Sequence, residues 1–111
     1  MINVVNKRKH TPMFNDVYIG RGSVLGNPYT SKPLGNTKAQ FQCQTEEESI
    51  KLFRTYLINK IIQKDPEICD ELNRIYLMAI KHDANLVCYC APKKCHGDVI
   101  KELVEFKINN T

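Results

Sequence analysis

The sequence predicts an α/β fold: a small parallel or mixed sheet with three main helices packed on it. Short β-prone runs at residues 2–6, 17–19 and 86–90 are one sign, and stretches of helical periodicity between and after them are the other. Strands followed by helices build a sheet covered by helices. A length of 111 residues suits one hydrophobic core, so a single domain over 1–111 is expected.

The first strand, Ile2-Asn3-Val4-Val5-Asn6, is short and rich in branched residues, and Val17-Tyr18-Ile19 is a second that Gly20 stops. Residues 21–44 carry dense glycine and proline turn signals and little periodicity. They read as a long ordered loop with a short strand at 41–43. A loop of that length in so small a domain is functional or mobile as a rule.

Thr45 opens the first helix, with Glu48 completing a capping box and Glu46 and Glu47 favouring the positive end of the dipole. Ile50, Phe53, Leu57 and Ile61, joined by Ile58 and Ile62, predict one broad buried face. Asp65-Pro66 restarts the chain as N-cap and first helical residue. Ile68, Leu72, Ile75 and Ala79 then form a core stripe, which residues 83–85 end. Residues 86–90 read as a buried strand. Residues 95–98 lead into a last helix with Val99, Leu103 and Phe106 inward.

The composition is that of an ordinary globular chain, 42% hydrophobic and 25% charged. No apolar run reaches the roughly 18 residues of a membrane span, and the first five residues are too short and polar for a secretory signal. A cytoplasmic protein without membrane contact is the expectation, in the host cytoplasm if a phage encodes it. The net charge of +4 is modest. Lys7-Arg8-Lys9-His10 is the one dense basic run, weak evidence for a nucleic-acid polymer as partner, and a small anion is served equally well. Five cysteines, Cys43, Cys69, Cys88, Cys90 and Cys95, make an odd count and argue for reduced thiols rather than a disulfide framework. Cys69 reads as packing, and His10 and His82 as surface residues.

Ligands of such sheets sit beyond the carboxyl ends of the strands, and two unusual loops emerge there. The first is Gly20-Arg21-Gly22-Ser23-Val24-Leu25-Gly26-Asn27-Pro28. Its glycines allow backbone N–H groups to converge on an anion, Arg21 can fork onto phosphate or carboxylate, and Ser23 and Asn27 add short hydrogen-bonding groups. It is not the dinucleotide fingerprint, because the last glycine comes one residue late and no helix follows. A plain glycine turn with a solvated arginine is the competing reading.

The second is residues 88–98, Cys88-Tyr89-Cys90-Ala91-Pro92-Lys93-Lys94-Cys95-His96-Gly97-Asp98. A helix starting near Cys95, His96 and Gly97 offers free N–H groups and its dipole to an anion. His96 can be donor, acid or base, and Asp98 can orient it or hold a ribose hydroxyl. Lys93 and Lys94 add positive potential. Three readings compete. Cys88, Cys90, Cys95 and His96 are all good zinc ligands, but one residue between Cys88 and Cys90 is short of the usual two to four, and both suit a strand core. Covalent catalysis by Cys95 with His96 is the second, with His96, Asp98 and Cys95 as catalytic candidates. The third, a non-covalent ligand site at His96, Asp98 and the helix end, is the leading one. Its ligand-binding set is Gly20, Arg21, Gly22, Ser23, Asn27, Cys95, His96, Gly97 and Asp98, with no metal or cofactor assigned. Tyr18, Tyr29 and Tyr89 flank the loops, and one can stack on a base.

In these two segments the chain resembles a family of small phage and bacterial proteins of undefined function. That family pairs an RGS-x-LGNP-like segment with a strand ending in C-x-C-x-P-x-x-CHGD or CHAD. The matching stretches are 21–28 and 88–98, and the pattern continues through residues 99–103. The resemblance implies a shared site containing Arg21, Asn27, His96 and Asp98, and a phage source. The combined reading is a binder of a small nucleotide-derived anion, ADP-ribose-like or a cyclic nucleotide. In a phage it would sequester a host immune signal as an anti-defence protein. The alternatives are a hydrolase or glycosidase acting on such a nucleotide, and a small zinc-binding interaction module. So short a sheet would also favour a homo-oligomer that covers an edge strand.

Overall fold

In the computed structural model, which describes residues 1–32, 34–36 and 39–110, the order along the chain is β1 (Ile2–Asn6), β2 (Asp16–Tyr18), β3 (Tyr29–Thr30), a 3-10 turn (Leu34–Asn36), β4 (Phe41–Gln42), α1 (Glu46–Ile62), α2 (Pro66–Lys81), β5 (Ala84–Cys88) and α3 (His96–Asn109). The fold is α/β, as the patterning predicts. The main sheet has the order β1-β5-β2, and every pairing in it is parallel. Asn6 stands opposite Cys88, and Tyr18 opposite Val87, so all three strands end at one edge. β4 is the short strand expected at 41–43, and it pairs with β3, which the sequence does not announce, in a second, two-stranded parallel sheet.

β5 is buried at all five positions, as the middle strand of the sheet, flanked by β1 and β2. It begins at Ala84 and ends at Cys88, two residues earlier than the apolar run suggests. Asn85, read as a breaker, lies inside it because its amide is fully engaged. Nδ2 donates to Asp16 and Asn15, and Oδ1 accepts from Asn3. A buried amide with partners on both sides costs little.

α3 packs on β1 and against α1 and α2. The core runs from Ile2, Val17 and Ile19 through Phe53, Leu57 and Ile75 to Leu86, Ile100 and Val104. Three burial assignments change. Ile61 and Ile62 are exposed because α1 turns its buried stripe, Ser49, Phe53 and Leu57, toward the core and ends in solvent. Phe106 is 68% exposed, since Val104 and Ile108 take the inward positions toward the end of α3. His10, expected at the surface, is mostly buried against the carboxylate of Asp16 at 2.9 Å. The caps form nearly as read. Thr45 Oγ1 accepts from Glu48 N, but the Glu48 carboxylate reaches Gln44 N instead of the Thr45 amide. Asp65 caps α2, with Pro66 first in the helix.

Candidate functional site

The carboxyl ends of β1, β5 and β2 open into a cavity of about 740 Å³. Segment 20–28 forms one wall and segment 88–96 the facing one, so Arg21 and His96 line the same space. Of the nine ligand-binding residues predicted, Gly20, Arg21, Asn27, Cys95 and His96 line it, and Gly22, Ser23, Gly97 and Asp98 do not.

The glycine loop is built inward. Gly22 has φ +89°, a conformation that excludes most side chains. Ser23 N donates to Gly20 O, Gly26 N donates to Ser23 O, and Ser23 Oγ donates to Gly20 O at 2.6 Å. A Cβ on Gly26 would stand 2.7 Å from Gly20 O. These amides serve the loop itself rather than converging on an anion. Arg21 is therefore the loop's charged contribution. Its Nη1 donates to the carbonyls of Asn27 and Tyr29, which leaves three of its five N–H groups without a bond to a described residue. Burial pulls its pKa below the ordinary arginine value, while Cys90 and Cys43 pull the other way. A guanidinium stays charged under such perturbation.

Asn27 is buried and shaped by the same task. Its Oδ1 accepts from Tyr29 N, and its Nδ2 donates to Ser49 Oγ, tying the loop to the first turn of α1.

On the opposite wall, His96 is 7% exposed, and its Nε2 bonds the carbonyl of Ile19. A carbonyl only accepts, so Nε2 carries the proton and Nδ1 is an acceptor. No described residue donates to Nδ1. The ring stands edge-on to Phe53, 5.1 Å between centroids. Burial holds its pKa below the ordinary histidine value, against the bond to Ile19. Asp98 does not touch His96. Its carboxylate accepts from Cys95 N and closes a capping box in which Cys95 Sγ accepts from Gly97 N. The amides at the start of α3 are thus partly consumed by the cap, and Asp98 faces away from the cavity.

The cysteines separate clearly. Cys88 and Cys95 are buried, with Sγ atoms 3.6 Å apart, while Cys90 is exposed rather than packed in a strand. All three sulfurs lie within 4.8 Å of one another. The neighbouring Cys90 and Cys95 thiols favour the thiolate of Cys88, and that same sharing pushes Cys95 up. These three residues are suited to a metal ion, and the His96 nitrogens fall outside their group.

Several lining residues escape sequence reasoning. Lys32 arrives from the turn after β3, and Glu46 and Ser49 from the start of α1. Asn6, at the end of β1, clamps the cysteine loop by donating to Tyr89 O and Ala91 O. A polar residue closing an apolar strand is the signal that could have found it. Tyr18 and Tyr89 line the cavity, ring centroids 6.4 Å apart. Lys7 lies over both and Arg8 over Tyr89, which gives the basic run a local place. Tyr29 packs instead against Phe41 and Tyr56.

Fold and site together define a small α/β protein whose parallel sheet opens at its carboxyl edge into a cavity carrying basic, thiol and imidazole groups. The chain belongs to the family described as Domain of unknown function (DUF4326), whose model matches residues 2–106 and so takes in both loops. It is 33% identical over 104 residues to an "Uncharacterized 12.4 kDa protein in nrdA-td intergenic region" of Enterobacteria phage T4. That match covers 94% of this chain and 78% of the phage protein. No solved structure matches the chain. Among the described residues, no helix is long and apolar enough to cross a membrane.

Proposed function

We propose that the protein binds a small nucleotide-derived anion, ADP-ribose-like or a cyclic nucleotide, in the cavity at the carboxyl edge of the sheet. The observation that carries this reading is the meeting of Arg21 and His96, from segments far apart in sequence, in one cavity. Its volume of about 740 Å³ lies within the usual range for small-molecule sites. Arg21, Lys32, Lys93 and Lys94 supply cationic donors for phosphate, and Glu46 is a carboxylate at the cavity wall for sugar hydroxyls. Tyr18 or Tyr89 offers an aromatic face to a base. The phage relative supports a role inside an infected cell, where a tight binder of this kind would sequester a host immune signal. Isothermal titration against a panel of nucleotides tests the reading. Binding tighter than millimolar by an ADP-ribose-like or cyclic nucleotide is expected, and none across the panel overturns it.

One observation favours turnover as a second reading: His96 presents an unprotonated Nδ1 without a described donor at the cavity wall. Such a group can accept a proton from water attacking a phosphate or glycosidic bond. Recovering the ligand from denatured protein and weighing it by mass spectrometry separates the two. Intact ligand means a binder, and fragments mean a hydrolase or glycosidase.

A further inference from the structure

We propose that Cys88, Cys90 and Cys95 form a three-thiolate site for a single zinc-class ion, with the fourth coordination position opening onto the cavity. Two segments deliver the sulfurs: the end of β5 with the loop after it, and the N-cap of α3. Zinc–sulfur bonds of about 2.3 Å at tetrahedral angles hold sulfurs about 3.8 Å apart. Cys88 and Cys95 stand 3.6 Å apart, and the whole set lies within 4.8 Å, so an ion fits with small movements.

The start of α3 supports a metal-bound sulfur at Cys95. Gly97 N donates to Cys95 Sγ at 3.3 Å, the kind of amide-to-sulfur bond that orients a metal ligand and spreads its charge. Cys95 also sits at the positive end of the α3 dipole. The Asn6 amide pins the carbonyls on either side of Cys90, which fixes an otherwise exposed ligand over the other two. On binding, each thiol gives its proton to solvent as its sulfur–metal bond forms. All three residues line the cavity, so water or an anionic oxygen completes the tetrahedron from that side. His96 is not the fourth ligand in this arrangement, because its ring nitrogens fall outside the group that the three sulfurs form. The site is independent of the nucleotide reading and stands if no nucleotide binds.

Cobalt(II) titration of the full chain, metal-stripped and reduced with a phosphine, tests it. One equivalent is expected to give a sulfur-to-cobalt charge-transfer band and the visible bands of a tetrahedral ion, and zinc is expected to displace it. Cys90 is exposed, so Cys90→Ser keeps the fold by circular dichroism and should weaken cobalt binding by more than about a hundredfold, beyond the loss typical of outer-shell changes. Cys69→Ser, on α2 and outside the cluster, should bind as the parent does. Absence of the charge-transfer band in folded, reduced protein overturns the proposal. So does a Cys90→Ser variant with the parent's affinity.

Discussion

The imidazole of His96 donates to the carbonyl of Ile19, so the first turn of α3 is fastened to the exit of β2. Ile19 N in turn donates to Val87 O at 2.9 Å, extending the β2–β5 ladder by one rung beyond the strand. The two walls of the cavity are therefore tied to each other by a hydrogen bond through the core.

His96→Phe removes that fastening while keeping a ring against Phe53. The Ile19 carbonyl is then buried without its donor, which costs about 1–3 kcal/mol. Urea denaturation should show a lower midpoint with an unchanged slope. An unaltered midpoint would mean that the bond contributes nothing net.

Gly97 stands where α3 meets the sheet most closely. A Cβ there would lie 2.9 Å from Ile19 Cδ1, 3.0 Å from Val4 Cγ1 and 3.3 Å from Cys95 Sγ. Gly97→Ala should destabilise by about 1–3 kcal/mol, the usual cost of overpacking. Gly35→Ala, with no atom of a described residue within 4 Å of the new carbon, should be near neutral. The difference between the two melting temperatures is the measurement, and equal values would refute the packing argument.

Much of this was legible in the sequence, and the gaps have physical causes. Caps and periodicity are local, so Thr45, Asp65-Pro66 and the β1 run led directly to α1, α2 and a strand. β3 and β4 pair over two residues each, and so short a pairing is a tertiary contact that no local signal records. Phe106 and Ile62 carry core-type side chains at positions where the helices face solvent. At the site, Arg21 and His96 were found by their chemistry. Ser49 and Glu46 were missed because only the tertiary bond from Asn27 reveals that α1 starts at the cavity. Asp98 has the right chemistry, but a cap satisfies it.

Asp16 makes stability depend on pH. Burial pushes its carboxyl up, but bonds from Met13 N, His10 and Asn85, with the charge of His10, outweigh that and hold it below the ordinary aspartate value. A folded pKa below the unfolded one contributes stability that is complete above the unfolded value, about 3.9, and is lost as pH falls through the folded one. Denaturation from about pH 6 downward should therefore show stability falling below about pH 4. Asp16→Asn should be less stable at neutral pH and show a shallower acid loss. An acid limb identical to the parent's would place the dependence on other carboxylates.

Arg21→Lys keeps the charge and removes the fork. The guanidinium holds the carbonyls of Asn27 and Tyr29 through one nitrogen and still has three N–H groups for a ligand. An ammonium that reaches both carbonyls retains a single proton for anything else, and it carries no planar pair for a phosphate. The loop should lose about 1 kcal/mol from a weakened bond. Nucleotide affinity should fall by about tenfold or more, a loss of 1.4 kcal/mol. Arg21→Ala should lose both properties further, whereas Lys93→Ala, at an exposed position, should weaken affinity with little change in stability. Parallel thermal melts and titrations on the three variants decide the matter. If Arg21→Lys binds as the parent does, the fork is structural, and the phosphate contacts fall to the lysines alone.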